Sequence, residues 1–357
     1  MPHPAVTRAQ AFADAHGLRL PILMAPMAGA CPASLAIAVA NAGGMGACGT
    51  LLMQPDAIRA WGQEVRAAGN GAFQLNLWIP DAPPERDPTR EAAVRDFLGQ
   101  WGPAVPPEAA DATPPDFAAQ CEAMLEVGPP VISSIMGVYP PEFVAQMKAS
   151  GIRWWANVTT VAEAREAVAA GADAVIAQGM EAGGHRGAFD PARAEVAQIG
   201  LFALLPAVVD AVDVPVIATG GIADGRGVAA ALLLGASAVQ VGTGLLRSPE
   251  AKIAPAWAAA IGQANPEDTL VTRAFSGRPA RSIATAYARA ATGKDAPNPA
   301  PYPIQRALTQ AMRDAGTKAG DVDRMQAWAG QSARLAQAEP AGAIVTSLWD
   351  SARGLLG

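Results

Sequence analysis

The sequence contains few histidines and cysteines and no long hydrophobic run. Of its 357 residues, only three are histidines and three are cysteines. Cys31, Cys48 and Cys121 are odd in number and show no CxxC spacing, which argues against a disulfide framework or a zinc site. No apolar run reaches the ~18 residues that a membrane span requires, and the amino-terminal stretch lacks the apolar region of a signal peptide. We therefore expect a cytoplasmic protein with reduced thiols, no metal and no membrane partner.

An excess of basic residues is also missing. The chain has 26 Lys and Arg against 32 Asp and Glu, a net charge of -6, and no basic clusters. Because nucleic acids and anionic membranes are bound through clustered positive charge, the expected partner is a small molecule. Aromatic residues make up only 5% of a chain that is 51% hydrophobic. This composition favours helices packed closely on a sheet over an aromatic-rich β-sandwich.

The main feature that is present is an alternation of short apolar strands with helical runs. Strands are predicted at 21–27, 45–48, 72–78, 131–134, 152–156, 174–178, 214–219 and 238–242. Helices are predicted at 35–42, 55–68, 117–127, 141–150, 161–170 and 225–234. Eight such strands predict an α/β fold of the TIM (β/α)8 barrel type rather than an open doubly wound sheet.

Two segments interrupt this alternation. The segment 80–115 holds nine prolines and is too rich in proline for regular barrel structure, so we expect it to pass over one face. Beyond Leu246 the sequence predicts only helices, at 253–261, 282–292, 304–314, 322–337 and 343–353. The predicted organisation is a barrel of residues 1–78 and 116–246 with a helical cap subdomain of residues 79–115 and 247–357.

Glycine-rich turns follow the last two predicted strands. Gly220-Gly221 and Gly242-Thr243-Gly244 allow backbone N–H groups, and a following helix, to face an anion without a Cβ in the way. Each turn alone could be a simple tight turn, but phosphate sites of TIM barrels lie after the seventh and eighth strands. The Rossmann dinucleotide fingerprint is not indicated, so a mononucleotide with one phosphate fits better.

Polar side chains end two of the other strands. Asn76 and Gln178 are amides on otherwise apolar strands, where they could bond a polar ring system in the barrel mouth or simply cap the strand ends. His185 stands between Gly183-Gly184 and Arg186-Gly187 in the loop after Gln178. An imidazole with a pKa near ~6.5 suits proton transfer near neutral pH, so His185 is the predicted catalytic residue. Glu181 and Arg186 are predicted to order this loop.

These motifs resemble the nitronate monooxygenase family, formerly called 2-nitropropane dioxygenases. The resemblance runs from residue 21 to about residue 330 and is carried by Ala25-Pro26-Met27, Asn41-Ala42-Gly43-Gly44, Asn76-Leu77, the segment Gln178 to Gly187, the segment Gly220 to Gly227, and Gln240-Val241-Gly242-Thr243. The EAGGHRG form of the histidine loop is similar to the class I branch. The resemblance implies an FMN-binding barrel whose cap contributes to the substrate site.

The resemblance also implies a reaction and its residues. The activity would be oxidation of alkyl nitronates by O₂ to carbonyl compounds and nitrite, with His185 as the catalytic residue. FMN would be held by Ala25, Pro26, Met27, Asn76, Gln178, Gly183, Gly184, Gly220, Gly221, Gln240, Val241, Gly242 and Thr243. The implied partners are a nitronate and O₂, without nucleic acid or membrane, and a homodimer is compatible with the sequence.

One segment departs from the class I pattern, which has two tyrosines and a lysine before the last helices. Tyr302 keeps the first tyrosine, but Arg306 and Gln310 occupy the other two positions. Tyr302 and Arg306 are therefore candidates for the substrate side, and we expect an altered substrate range with retained flavin binding. The alternatives are an FMN-dependent NADH:quinone or enoyl-thioester reductase, a flavin-binding protein without activity and, with least support, thiol chemistry at Cys48.

Overall fold

The computed structural model describes residues 3–357, so Met1 and Pro2 of the predicted barrel segment 1–78 lie outside it. The strands are β1 Ile22–Met24, β2 Gly46–Gly49, β3 Phe73–Trp78, β4 Val131–Ile135, β5 Arg153–Val158, β6 Ala174–Gln178, β7 Gly184–His185, β8 Val216–Thr219, β9 Ala238–Val241, β10 Thr269–Thr272 and β11 Ala280–Ile283. The α-helices are α1 Pro4–Ala15, α2 Ala33–Asn41, α3 Pro55–Ala68, α4 Pro88–Leu98, α5 Phe117–Val127, α6 Pro141–Ala149, α7 Val161–Ala169, α8 Leu201–Val209, α9 Gly225–Leu233, α10 Pro255–Gln263, α11 Ala286–Ala290, α12 Ile304–Leu308, α13 Gln310–Ala319 and α14 Ala341–Leu356. None of these helices is both long and apolar enough to cross a membrane.

Eight of the strands form a parallel sheet that closes on itself. Their order is β1-β9-β8-β6-β5-β4-β3-β2, and a parallel bridge between Leu23 and Met45 joins the two ends. All eight predicted strands lie on these barrel strands, which confirms the TIM barrel. β7 lies between β6 and β8 along the chain but is not part of the barrel. It pairs with β11 in a separate three-stranded antiparallel sheet.

The amino-terminal end of the barrel is closed by α1, a helix that the sequence prediction omitted. Phe12 of this helix is buried with the interior residues Leu23, Ile176 and Ile217, and its ring centroid lies 5.8 Å from that of Trp155. Its two histidines have local roles, since His3 accepts a hydrogen bond from the Ala5 N–H and His16 stacks on Phe12. With one end plugged, the carboxyl ends of the strands are left for a site.

The outer layer contains two helices that differ from the sequence prediction. The last helix, α14, packs on α9 and α2 and so completes the barrel, whereas the prediction assigned all of 247–357 to the cap. Its buried apolar side chains are contiguous with the core between helices and strands. Helix α8 was not predicted, and Pro206 lies inside it and removes a backbone donor. Tertiary burial of Leu204 and Leu205 offsets that loss.

The cap is formed by two distant segments that share one apolar core. Val94 and Leu98 of α4 pack with Phe275, Leu308 and Met312 from the carboxyl-terminal part. The proline-rich segment 80–115, predicted to be too rich in proline for regular barrel structure, lies in the cap and contains the 11-residue helix α4, with Pro88 in its first turn. Proline is tolerated there because that N–H has no intrahelical partner.

Two of the predicted cap helices are wrong. The predicted helix 282–292 is divided between strand β11 and the five-residue helix α11, because Ser282 and Ile283 extend a strand that pairs with β10. The predicted helix 322–337 is an irregular segment with two short 3₁₀ turns. In its middle, Gly330 passes so close to the histidine loop that a Cβ there would lie 2.7 Å from the Glu181 carbonyl oxygen. This close approach requires a glycine at position 330.

Candidate active site

A cavity of about 1400 Å³, with its open mouth included, lies between the strand ends and the cap. Its lining includes fifteen of the predicted site residues: Ala25, Pro26, Met27, Asn76, Gln178, Gly183, Gly184, His185, Gly220, Gly221, Gln240, Gly242, Thr243, Tyr302 and Arg306. Val241 is the predicted residue that does not line it. Because side chains alternate along β9, Val241 points into the apolar core while Gln240 and Gly242 border the cavity.

The two glycine turns lie side by side at one end of this cavity. Gly220 and Gly221 have φ values of +108° and +70°, a backbone conformation that side chains with a Cβ rarely adopt. The backbone N–H groups of Gly220, Gly221, Gly242 and Thr243 donate to no protein group within residues 3–357. Donors left without a protein partner in a concave site suit an anion such as a phosphate.

Helix α9 contributes less to this anion site than the sequence suggested. The carboxylate of Asp224 caps α9 by accepting the N–H groups of Arg226 and Gly227. The first donors of the helix are therefore occupied, and a negative charge already stands at its positive end. The free donors at the cavity belong to the turns themselves.

The two predicted strand-end amides have different roles in the protein. The Gln178 side chain donates to the His185 carbonyl oxygen at 3.1 Å and accepts the Gly187 N–H at 2.8 Å, so it fixes the histidine loop. Of the two roles that the sequence allowed for Gln178, the structure shows the capping of the strand end. Asn76 donates through Nδ2 to Ser133, at 3.0 Å to Oγ. Its Oδ1 accepts no hydrogen bond within the described chain and remains available to a ligand.

A chain of polar side chains lies beneath the cavity, inside the barrel. Ser133 Oγ donates to Gln74 Oε1 at 2.9 Å, and Gln74 Nε2 donates to Gln240 Oε1 at 3.1 Å. Gln74 and Ser133 are fully buried. Because buried polar groups are stabilising only when their hydrogen bonds are made, this network fixes the orientation of Asn76 and Gln240.

The His185 loop is anchored from both the barrel and the cap. In addition to the bonds from Gln178, His185 and Gly184 pair in an antiparallel register with Ala280 and Arg281 of β11. Gly183 packs against the 329–330 segment, where a Cβ would lie 2.5 Å from the Gly330 nitrogen. The glycines of this loop therefore allow the close approach of the cap that positions His185.

His185 is half-buried, and its imidazole packs against aromatic rings and one hydroxyl group. The ring centroids of Trp78 and Trp328 lie 4.6 and 5.2 Å from that of His185, both edge-on. Nε2 lies 2.8 Å from Ser276 Oγ, which itself donates to the Arg278 carbonyl oxygen at 3.2 Å. With the hydroxyl proton directed to the Arg278 carbonyl oxygen, Ser276 accepts from His185. This arrangement favours the tautomer with the proton on Nε2.

Burial lowers the pKa of His185 to about 3, with further lowering by the positive charges of Arg278 and Arg306. The imidazole is therefore neutral at physiological pH. The sequence analysis assumed a pKa near the ordinary value, and the structure corrects this because the ring is desolvated between two tryptophans. A bound anion beside the ring would raise the pKa again.

The substrate-side candidates lie next to His185. The ring centroid of Tyr302 is 5.2 Å from that of Trp78, and burial raises the pKa of its phenol. Arg306 borders the cavity and its guanidinium forms no ion pair or hydrogen bond within the described residues. Gln310 does not line the cavity, because its amide bonds Arg313 and Asp314. Of the two departures from the class I pattern, Arg306 is the one that faces the site.

The comparisons with known proteins agree with this geometry. Residues 10–351 match the family described as nitronate monooxygenase. The chain belongs to this family. The nitronate monooxygenase of Pseudomonas aeruginosa is 38% identical over 345 residues, which cover 95% of this chain and 97% of that protein. This family membership makes the protein an enzyme of the oxidoreductase class.

Solved structures of this fold point the same way. Nitroalkane oxidase from Streptomyces ansochromogenes superposes with a TM-score of 0.87 at 36% identity, covering 97% of this chain and 100% of that one. FabK from Thermotoga maritima has a TM-score of 0.75 at 30% identity, with 97% and 96% coverage. This member of the nitronate monooxygenase family is thus similar to two kinds of enzyme on one barrel, and more so to the nitroalkane oxidase.

Glu181 and Arg186, the predicted loop-ordering residues, both bond backbone groups around the loop in this family member. Both carboxylate oxygens of Glu181 accept the Leu201 N–H at the start of α8, at 2.9 and 3.0 Å. Arg186 is buried and donates to the carbonyl oxygens of Gln178, Thr159 and Ala197. Burial lowers its pKa to about 10, so it stays charged at neutral pH.

The thiol alternative does not fit the geometry. Cys48 is 2% exposed, its sulfur lies 3.9 Å from that of Cys31, and it does not line the cavity that His185 borders. Contact with Cys31 and burial hold the pKa of Cys48 well above its usual range. A thiol that stays protonated is a poor nucleophile.

Sequence reasoning missed several residues of the site. Trp78, Trp328 and Ser276 surround His185, and Asn157 lies on the cavity floor. Trp78 and Asn157 follow apolar strand residues and could have been noted as strand-end groups, as Asn76 was. Ser276 and Trp328 carry no local signal, because only the folding of the cap over the barrel brings them to His185.

Proposed function

We propose that the protein is an FMN-dependent nitronate monooxygenase that oxidises alkyl nitronates with O₂ to carbonyl compounds and nitrite. The main support is that one cavity contains both the neutral imidazole of His185 and two turns with unpartnered backbone donors. Family membership and the similarity to nitroalkane oxidase support the same chemistry. Cytoplasmic location and the class I assignment remain predictions from the sequence.

The residues at the cavity fit a flavin mononucleotide. The free N–H groups of Gly220, Gly221, Gly242 and Thr243 would hold its single phosphate, and the free Oδ1 of Asn76 would bond its ring. The cavity reaches from these glycine turns to Arg306 of the cap, so a cofactor and a substrate would lie in one continuous space. When bound, FMN would supply electron transfer from the nitronate to O₂.

On the cap side, the chain would bind and orient the nitronate. Its negative charge suits the unpaired guanidinium of Arg306, and its oxygens suit hydrogen bonding to His185. Trp78, Trp328 and Tyr302 exclude water from this side and strengthen both interactions. With the proton on Nε2 bonded to Ser276, Nδ1 would be the nitrogen free to accept a proton from a neutral nitroalkane.

The second candidate is an FMN-dependent reductase that uses NADH to reduce a quinone or an enoyl thioester. The similarity to FabK supports this alternative. The two functions differ in what reduces the flavin. FMN-loaded protein is mixed anaerobically with ethylnitronate or with NADH, and the visible flavin absorbance is followed in a stopped-flow instrument.

Rapid bleaching by ethylnitronate, with NADH slower by at least about 100-fold, is the expected result. On admission of O₂, nitrite should appear in amounts stoichiometric with the nitronate consumed. Free FMN in place of the protein is the control for uncatalysed reduction. Rapid bleaching by NADH without bleaching by nitronate contradicts the monooxygenase and supports the reductase.

A further inference from the structure

Asn157 is a polar side chain on the floor of the cavity to which no role has yet been given. It lies near the end of β5, where it pairs in the ladder with Ile176 of β6. On the other side, Ile135 of β4 follows Ser134, the partner of Ala156. Both isoleucines also line the cavity. The floor between β4 and β6 is therefore apolar except for this one carboxamide.

The amide of Asn157 has no hydrogen-bond partner in the described chain. The residue is only 5% exposed, and its buried Nδ2 lies against Gly187 without an acceptor. The other strand-end amides of the cavity each have a protein partner: Asn76 bonds Ser133, Gln178 bonds the histidine loop, and Gln240 bonds Gln74. Asn157 thus differs from them in that neither end of its amide is bonded; Nδ2 is enclosed by Gly187, and Oδ1 is the end that a ligand in the cavity can reach.

A buried amide without partners destabilises a protein unless a ligand or water completes its bonding. A flavin ring has both donors and acceptors along its polar edge. The position of Asn157 on a barrel strand, rather than on the cap, favours a ligand that lies on the strand ends.

We propose that Asn157 is a cofactor-positioning residue that hydrogen-bonds the polar edge of the FMN ring. This proposal rests on the proposed function only in that FMN is the cofactor. It assigns to the β5 strand end a contact that the phosphate turns and Asn76 do not supply. It also explains why the protein retains an amide between two isoleucines.

The test compares Asn157→Leu with the wild type, since leucine has nearly the shape of asparagine without its polar atoms. Two quantities are measured: the thermal midpoint of the FMN-free protein and the FMN dissociation constant, from quenching of flavin fluorescence. The matched control is Asn70→Leu, which removes an exposed amide at the opposite end of the barrel that bonds the Ala40 carbonyl oxygen. Should the leucine variant fail to fold, Asn157→Ala permits the same comparison without added bulk.

The proposal expects opposite changes in the two measurements. FMN should bind at least tenfold more weakly, while the FMN-free variant should melt at the same or a higher temperature, because an unpartnered buried amide has been removed. Asn70→Leu should leave FMN affinity unchanged. Unchanged FMN affinity in Asn157→Leu overturns the proposal, as does a lowered melting temperature that accounts for the weaker binding. A wild-type protein that binds no FMN overturns the cofactor assignment itself.

Discussion

The floor and the roof of the cavity differ in origin and in chemistry. The floor is formed by strand ends and glycine turns, with unpartnered N–H groups and amides held by a buried network. The roof is formed by the cap, with Trp328, Tyr302 and the unpaired Arg306 around His185. The floor suits a permanently bound cofactor that carries a phosphate group and a polar ring. The roof suits a small anion that must enter and leave.

The difference teaches that cofactor binding and substrate turnover should respond to different substitutions. Changes in the floor should alter FMN affinity, and changes in the roof should alter catalysis with FMN still bound. His185 belongs to both regions through Gln178 and β11. The predictions below test this division.

The largest effect is expected from Gly220→Ala. A Cβ there would be strained at φ +108° and lie 3.1 Å from the Gly179 carbonyl oxygen, so the turn must move. Loss of about two hydrogen bonds to the phosphate, about 2 kcal/mol each, should weaken FMN binding about 1000-fold. Equilibrium titration of FMN-free protein measures it. Gly17→Ala is the control for an alanine at positive φ, since Gly17 has φ +66° and no atom within 4 Å of an added Cβ. Equal loss in both variants would remove the phosphate assignment.

The second effect is expected from His185→Asn in the roof. Asparagine keeps a hydrogen-bonding group of smaller size but cannot replace the imidazole beside the nitronate. We expect kcat/KM for ethylnitronate, measured by oxygen consumption, to fall about 100-fold. FMN affinity should change less than about threefold. A variant that loses flavin instead of turnover would contradict the division between floor and roof.

The third effect is expected from Arg306→Gln. Removing one charge-assisted interaction with the nitronate should raise KM about tenfold and leave kcat within about twofold. Arg306→Lys should recover part of the affinity. Gln310→Ala serves as the matched control because Gln310 faces Arg313 and Asp314 rather than the cavity. If the Gln310 variant shows the larger rise in KM, the assignment of Arg306 is wrong.

The smallest effect concerns pH and stability. Because the pKa of His185 is lowered to about 3 in the folded protein, the unfolded chain binds a proton first as pH falls below ~6.5. His185 therefore stabilises the fold fully above ~6.5, and this contribution is lost as pH falls toward 3, by at most about 1.4 kcal/mol per pH unit. In urea unfolding of FMN-free protein, the free energy of unfolding should fall less on acidification in His185→Asn than in the wild type. If the free energy of unfolding depends on pH in the same way in both proteins, burial does not lower the pKa of His185.

The floor of the site was largely predictable from local sequence. Gly220-Gly221 and Gly242-Thr243 follow apolar strands, and parallel strands bring their carboxyl ends to one face, so the turns had to meet there. The direction of the Val241 side chain follows from local sequence too, since strand alternation turns it into the core. The same alternation could have revealed Asn157.

The roof was predictable only where the family resemblance supplied residues. The predicted helices at 282–292 and 322–337 failed because pairing with β10 and close contact with the histidine loop overrode helical propensity. Helix α14 was assigned to the cap but packs on the barrel, because the position of a helix in the sequence does not determine which surface it covers. Ser276 and Trp328 lie about 90 and 140 residues from His185 along the chain, and no short-range pattern links them.

The sequence by itself determined the barrel, its glycine turns and the loop that presents His185, because these depend on periodicity and on glycine within single strand–turn units. The tertiary structure alone decided the state of that histidine. Its neutral form follows from the tryptophans, Ser276 and the arginines that the cap brings around it. Desolvation depends on everything that surrounds a group, and those neighbours come from distant parts of the chain.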